Sequence, residues 1–194
     1  MQIQIIRKSE LITSTWSGGT TTQIAIFPEN ASYADGNFIF RISSAVVDSA
    51  ESNFTKLPGV SREIMILEGE LKLEHKDQYS KILKKFDTDS FKGEWDTKSN
   101  GKVIDFNLMT TGNAFGAIEA IHLNENKKIT KHLSARFNVM VLFIHKGDLE
   151  IINKENKQLL YQGDSILLFN EKSQEEISIH SNSNTEIIIS EISY

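Results

Sequence analysis

The chain has no cysteine among its 194 residues and only two prolines. The absence of thiols excludes disulfide bridges, cysteine-based zinc sites, iron–sulfur clusters and cysteine nucleophiles. Long apolar runs are missing too, because the longest, Val139–Ile144, is far shorter than the roughly 20 residues that span a bilayer. The first residues, MQIQIIRKSEL, lack the apolar core of a signal peptide. We therefore expect a soluble, cytoplasmic protein without a membrane partner.

Positive charge is also scarce. Lys and Arg total 21 against 26 Asp and Glu, so the net charge is −5. A mildly acidic chain argues against nucleic acid as the partner. Hydrophobic residues at 39% and charged residues at 24% are typical of a globular protein, and the length fits one large or two small domains.

Short apolar segments dominate the chain and indicate β-strands. Short runs rich in Ile, Val, Phe and Thr, most of them four to eight residues long, are separated by Gly, Asn, Asp and Ser, as in all-β proteins. The predicted strands are Thr21–Phe27, Asn37–Val47, Glu63–Leu67, Glu70–Glu74, Val103–Thr110, Val139–His145, Asp148–Asn153, Ser165–Phe169, Glu176–His180 and Glu186–Ser193.

A weak internal repeat suggests two similar domains. EIMILEGELKLEH around Ile64 and NVMVLFIHKGDLEII around Val139 both read as strand, glycine turn and strand. This order suits small antiparallel jelly-roll barrels, although glycine turns between strands occur in all-β proteins of any kind. The linker-like sequence TTGNAFG near Thr110–Phe115 predicts the boundary between the two domains. The predicted barrels are therefore residues 1–112 and 113–194.

Two predicted strands carry polar side chains on one face. Because side chains two residues apart share a face, Arg41 and Ser43 lie together, as do Asp105, Asn107 and Met109. These faces either meet water or line a barrel interior. In an interior, a guanidinium binds a carboxylate through two parallel hydrogen bonds. Asp105 would accept an N–H group from a ligand or neutralise Arg41.

A glycine-containing segment, WSGGTTTQ at Trp16, is a second candidate for ligand contact. Gly18 and Gly19 allow a close backbone approach to a ligand, and the threonines supply donors and acceptors. The segment lacks the lysine and spacing of a P-loop, so a simple turn into a strand is the competing interpretation.

The five histidines show no HxH or HxxxH spacing, GxSxG and GxGxxG are absent, and we therefore expect neither a metal nor a cofactor. We expect each histidine to be a surface or capping residue.

Several separated blocks together resemble the HutD/Ves family. They are WSGGTTTQIAIFP, FIFRISSAVVDSAESNFTKLPGVSREIMILEGEL and DFNLMT, in the family's order and spacing over roughly residues 5–112. The resemblance implies a bicupin, that is, two tandem cupin barrels, in a bacterial cytoplasmic protein. One branch of the family accompanies histidine degradation and is thought to bind a metabolite such as formylated glutamate, and another is linked to stress. No reaction is firmly established for the family.

The family motif transfers residue by residue to Trp16, Gly18, Gly19, Thr22, Arg41, Ser43, Phe54, Gly59, Arg62, Gly69, Asp105, Asn107 and Met109. This chain departs from the pattern at Gln23, where Glu is common, and at Phe40, where Trp is common.

These observations predict a metal-independent bicupin that binds a small acidic metabolite and acts in a regulatory or accessory role rather than as an enzyme. A cupin-type isomerase or dioxygenase is the alternative, and exposed strand edges suggest a homodimer. Arg41 is the first candidate to bind a carboxylate and Arg62 the second. The full set of expected ligand-binding residues is Trp16, Thr22, Arg41, Ser43, Arg62, Asp105, Asn107 and Met109.

Overall fold

The structure, a computed structural model, describes residues 2–154, 156–170 and 176–194. The described residues form antiparallel β-strands with a single 3-10 helix, Lys8–Glu10. The all-β prediction is therefore confirmed. Two compact units are present: Leu11–Gly116, here called the first barrel, and Met1–Glu10 with Ala117–Tyr194, the second barrel. In the part of the chain that is described, no helix has the length and apolar character needed to cross a membrane.

The first barrel contains two sheets. The six-stranded sheet has the spatial order β2 (Ile12–Trp16), β3 (Gly19–Phe27), β4 (Phe40–Val47), β11 (Val103–Thr111), β6 (Val60–Gly69) and β9 (Thr88–Lys92). The four-stranded sheet has the order β5 (Glu51–Asn53), β10 (Thr97–Asn100), β7 (Leu71–His75) and β8 (Tyr79–Leu83).

The core of the first barrel follows from alternation along its strands. Ile64 and Ile66 on β6 point inward, as do Leu71 and Leu73 on β7, and all are essentially inaccessible to solvent. Burying such side chains is the main favourable contribution to folding, about 1.5–3 kcal/mol each relative to exposure.

The second barrel also contains two sheets. Its five-stranded sheet has the order β1 (Gln2–Ile6), β17 (Ser165–Phe169), β14 (Val139–Lys146), β19 (Thr185–Ser193) and β12 (Phe115–Leu123). Its four-stranded sheet has the order β13 (Lys128–His132), β18 (Glu176–Ser181), β15 (Asp148–Asn153) and β16 (Asn156–Tyr161). A cluster of buried aliphatic side chains fills the interior, including Leu142, Ile144, Leu149, Ile151, Ile166, Ile177, Ile179 and Ile187.

Equivalent glycine turns explain the internal sequence repeat. Gly69 connects β6 to β7 and Gly147 connects β14 to β15, and each turn passes from the larger sheet to the four-stranded sheet of its barrel. Both glycines have positive φ, +90° and +80°. A Cβ on Gly69 would lie 2.6 Å from the Lys102 carbonyl oxygen, so a side chain is excluded there on two grounds. The same chain path in both units supports the tandem arrangement.

The amino-terminal strand belongs to the second barrel. β1 pairs with β17, with Ile3 opposite Leu168 and Ile5 opposite Ile166. The division expected from the sequence, 1–112 and 113–194, groups these residues with the first barrel instead. Alternating isoleucines identify a strand, but they carry no information about which distant strand will pair with it.

Candidate functional site

Three neighbouring strands of the first barrel, β4, β11 and β6, share one polar face. Met109 on β11 is paired with Arg41 on β4 and also with Arg62 on β6. One step along the same face, Asn107 lies opposite Ser43. Because neighbouring strands are about 4.8 Å apart, the two arginines start about 10 Å apart at their backbones and project to the same side.

This face lines a cavity of about 300 Å³ within the first barrel. The polar side chains on its wall are almost inaccessible to solvent: Arg41 and Arg62 are each 6% exposed, Asn107 5% and Asp105 3%. The interpretation that the polar faces meet water is therefore wrong. Charged and amide groups are buried here around a space large enough for a small molecule.

The guanidinium of Arg62 has unused hydrogen-bonding capacity. Its Nη2 donates to Asn107 Oδ1 at 3.2 Å, and its Cζ lies 4.7 Å from the centre of the Phe54 ring. Its Nε is buried and makes no hydrogen bond to any residue that the structure describes. Burial lowers the pKa of Arg62 to about 10, so the group remains charged at neutral pH. A buried donor without an acceptor costs about 1–3 kcal/mol.

Asn107 links Arg62 to a buried carboxyl group. Its Oδ1 accepts from Arg62, and its Nδ2 donates to Asp105 Oδ1 at 2.6 Å. Since arginine can only donate, this chain fixes the orientation of the Asn107 amide. Burial raises the pKa of Asp105 to about 7, although the nearby Arg62 charge and the hydrogen bonds from Asn107 and Ala45 act in the opposite direction.

Arg41 is held more completely than Arg62. Its Nε donates to Gln23 Oε1 at 3.0 Å and its Nη1 to Ser43 Oγ at 3.1 Å. Its Cζ lies 4.3 Å from the centre of the Tyr33 ring. Burial lowers the pKa of Arg41. Arg41 therefore adds positive charge to the cavity, with two of its three guanidinium nitrogens already engaged.

The glycine-containing segment forms part of the cavity wall. Trp16 lines the cavity and is 37% exposed, and its ring lies against Gly18, where a Cβ would come within 2.0 Å of Trp16 Cζ3. At Gly19 a Cβ would come within 1.9 Å of the Val46 carbonyl oxygen. Both glycines are needed because neighbouring atoms occupy the space that a side chain would fill.

A family model described as HutD matches residues 8–188. The chain belongs to the HutD family. A curated relative, Protein Ves of Escherichia fergusonii, is 35% identical over 101 residues. That alignment covers 50% of this chain and 50% of Ves, so the chain matches about half the length of this relative. The resemblance to HutD/Ves seen in the sequence is confirmed.

Two solved structures show the fold shared by this HutD-family chain. The conserved protein of unknown function PA5104 from Pseudomonas aeruginosa superposes with a TM-score of 0.87 at 18% identity, covering 100% of both chains. HutD from Pseudomonas fluorescens, solved in a formate condition, gives a TM-score of 0.74 at 16% identity, covering 99% of this chain and 98% of that one. The fold is thus shared over the whole length of the chain, and identities this low show the fold alone.

The cavity brings together most of the residues singled out from the sequence. Its lining includes Trp16, Arg41, Ser43, Arg62, Asp105, Asn107 and Met109. Thr22 does not line it. Thr22 pairs with Ser44 on the opposite face of the sheet, and its Oγ1 lies 2.8 Å from Thr13 Oγ1. Its neighbour Thr21 occupies the cavity face, in register with Ala45, because side chains alternate along β3.

Several lining residues were not singled out as ligand-binding. Tyr33 lies in the connection between β3 and β4, and Phe54 directly follows β5. Ser52 and Ser99 come from the facing four-stranded sheet, where their hydroxyl oxygens are 2.8 Å apart. Alternation does not apply to loops, and β5 and β10 are too short and polar to be recognised as strands. Of these four residues, only Phe54 was indicated by the sequence, because it is one of the family's motif positions.

The histidines do not all behave as expected. His75 is 2% exposed, with Nδ1 2.8 Å from Thr97 Oγ1 and Nε2 2.9 Å from Asp89 Oδ2. It is therefore a core residue rather than a surface or capping one, which its position on a strand with alternating leucines could have indicated. Among the residues that the structure describes, no three His, Asp or Glu side chains form a group that can hold a metal ion.

Proposed function

We propose that this HutD-family protein is a metal-independent bicupin that binds a small acidic metabolite in the cavity of its first barrel. The observation that carries the proposal is a cavity with two buried guanidinium groups on its wall, one of which, Arg62, has an Nε without an acceptor among the described residues. Anions with a planar carboxylate fit this arrangement because a guanidinium offers two parallel donors.

Arg62 rather than Arg41 is the principal carboxylate-binding group in this proposal. The Nε and Nη1 of Arg41 already donate to Gln23 and Ser43, whereas Arg62 is bonded through Nη2 and retains a buried free donor. This reverses the order expected from the sequence. Arg41 contributes mainly through its charge, which adds to the attraction for an anion because a buried site screens charges less than bulk water does.

The remaining cavity wall gives the ligand its other contacts. Asn107, Ser43 and Thr21 supply hydrogen-bonding groups, while Trp16 and Tyr33 provide apolar surface. The family resemblance suggests amino acid derivatives such as N-formylglutamate, and an accessory or regulatory role in histidine utilisation or stress. The aliphatic interior of the second barrel is consistent with a structural role for that unit.

Titration calorimetry tests the proposal. N-formylglutamate, glutamate and urocanate are titrated separately into the wild-type protein and into Arg62→Lys, which keeps the positive charge but removes the Nε donor. We expect heat of binding for at least one of the acids with the wild type, and an affinity at least tenfold lower for the variant. No heat with any of the three acids, together with an unchanged melting temperature, would remove the proposal.

One observation favours an enzyme as the second candidate. The pKa of Asp105, raised to about 7 by burial, lies where a carboxyl group serves as general acid or base at neutral pH. Incubating the same acids with the purified protein and following product formation by mass spectrometry distinguishes the two. Turnover that disappears in Asp105→Asn would establish an enzyme, and unchanged acids after prolonged incubation would exclude this candidate for them.

A further inference from the structure

Asp105 stands at the end of a hydrogen-bond chain that begins at the proposed anion-binding group. Arg62 donates to Asn107, and Asn107 donates to Oδ1 of Asp105. Asp105 also accepts a hydrogen bond from the Ala45 backbone N–H, and when neutral the carboxyl group has one O–H donor in addition to these accepted bonds. Asp105 also lines the cavity itself, so its carboxyl group and both guanidinium groups border the same small space.

Few charged or titratable residues line the cavity around Asp105. Arg41 on β4 and Arg62 on β6 are the cationic groups among the described cavity-lining residues, and Tyr33 from the β3–β4 connection is the remaining titratable one. The residues contributed by β2, β3 and the facing sheet are uncharged, such as Ser14, Thr21 and Ser99. A bound ligand anion would therefore add a negative charge close to the carboxyl group of Asp105.

Two carboxylates side by side in one buried cavity repel each other strongly, because the protein interior screens charges less than bulk water does. If Asp105 is protonated, the repulsion disappears and its O–H becomes a donor to the incoming carboxylate. Asp105 is well placed for this change, since burial has already raised its pKa to about 7. Near neutral pH, both protonation states are present before any ligand binds.

We infer that Asp105 binds the acidic ligand as a neutral acid, donating its O–H to the anion held by Arg62, so that binding takes up a proton wherever Asp105 is ionised in the free protein. This inference rests on the proposed function and adds that pH regulates ligand binding at the same site. Asp105 then selects ligands that present an anionic oxygen to it, rather than an amine or amide N–H. The site would bind more tightly as the surroundings become more acidic.

The direction of the pH dependence follows from linkage. A bound anion raises the pKa of Asp105 further, so the affinity is greatest and constant below about pH 6, where the carboxyl group is already protonated. The affinity falls as the pH rises above 7, by up to tenfold per pH unit, until the pKa of the complex is passed.

Calorimetry in paired buffers tests the inference. N-formylglutamate is titrated at pH 5.5, 6.5, 7.5 and 8.5, each in two buffers with different enthalpies of ionisation, so that proton exchange is measured directly. For the wild type we expect net proton uptake at pH 7.5 and a several-fold loss of affinity from pH 6.5 to 8.5. Asp105→Asn, which is uncharged at every pH, should show no proton uptake at this position and an affinity that does not change between pH 6.5 and 8.5.

The outcomes separate this inference from the proposed function. Binding without proton uptake by the wild type overturns the role of Asp105 and leaves the anion site standing, and this result needs no variant. Identical proton uptake in Asp105→Asn overturns it as well. If N-formylglutamate, glutamate and urocanate all fail to bind the wild type at every pH, the proposed function and the inference are overturned together.

Discussion

Arg41 and Arg62 lie in one cross-strand row, on the two strands that flank β11, with Met109 between them. Both are nearly inaccessible to solvent, and both stack on an aromatic ring. They differ in how their donors are used, because Arg41 donates to Gln23 and Ser43 whereas Arg62 keeps a buried Nε without an acceptor. The account of ligand binding depends on this difference.

Arg62→Lys and Arg41→Lys should weaken ligand binding to different degrees. Lysine keeps the charge but lacks Nε and the planar pair of donors, so we expect the shift in melting temperature produced by 10 mM N-formylglutamate to vanish in Arg62→Lys. Arg41→Lys should retain part of the shift. Differential scanning fluorimetry measures both, with Arg136→Lys, an exposed site in the second barrel, as the matched control. A larger loss in Arg41→Lys than in Arg62→Lys would contradict the assignment.

Adjacent threonines provide a test of the cavity face. Thr21 lines the cavity, and Thr22 lies on the other side of the same strand. Replacing Thr21 by valine keeps the shape and removes one hydroxyl, so we expect a loss of affinity for N-formylglutamate of roughly tenfold or less, about 1 kcal/mol. Thr22→Val should bind as the wild type does. Calorimetric titration of both variants checks this, and equal losses would show that the face has been assigned incorrectly.

The stability of the first barrel should depend on the protonation of Asp105. Its pKa of about 7 in the folded protein exceeds the ordinary value of 3.8, so the folded state retains a proton that the unfolded chain releases between these values. The stabilisation that comes from keeping Asp105 protonated is fully present below about pH 4 and is lost as the pH rises to about 7. Relative to the wild type, Asp105→Asn should therefore gain stability over this range, by on the order of 1 kcal/mol per pH unit.

Urea unfolding followed by tryptophan fluorescence reports on the stability of the first barrel. Trp16 and Trp95 are the chain's two tryptophans, and both lie in that barrel. The exposed Asp35→Asn is the control and should follow the wild type at every pH. A constant difference between Asp105→Asn and the wild type from pH 4 to 8 would show that Asp105 titrates normally in the folded protein.

Asp164 should hold the amino-terminal strand in the second barrel. Its carboxylate accepts from Arg7 Nη1 at 2.7 Å and from the Lys8 and Tyr161 backbone N–H groups at 2.9 and 3.2 Å. Burial acts to raise the pKa of Asp164, but these bonds and the Arg7 charge outweigh it and lower the pKa. Its stabilisation is therefore present above the ordinary pKa and is lost as the pH falls through the folded value.

Asp164→Asn removes the charge and part of this acceptor capacity. We expect faster amide hydrogen exchange in β1 at pH 7, corresponding to a loss of about 2 kcal/mol in the free energy of local opening. Lys157→Gln, which removes an exposed ion pair with Glu150 in the same barrel, should leave exchange in β1 unchanged. Unaltered protection of β1 in Asp164→Asn would show that strand pairing with β17 alone holds the segment.

Much of the fold is predictable from alternation and glycine. The predicted segment 103–110 corresponds to β11, and 148–153 coincides with β15. These strands are long or apolar, so their hydrophobic pattern is clear. The polar face with Arg41 and Asn107 follows from the same alternation, since a buried strand places every second side chain on the cavity wall.

Other features lie outside what a local pattern can show. Strands β2, β5 and β10 are short or largely polar and resemble loops, and the pairing of β1 with β17 joins residues more than 150 positions apart. The position of Tyr33 over Arg41 depends on a connecting segment without periodicity. The family motif marks the segment that contains Thr22, whereas the register of β3 decides which threonine faces the cavity.

A crystal structure of the protein with N-formylglutamate tests the central claim most directly. The account predicts a carboxylate oxygen of the ligand within hydrogen-bonding distance of Arg62 Nε, inside the first barrel. Ligand density confined to other surfaces, or ligand in the cavity with Arg62 Nε still lacking an acceptor, would contradict it.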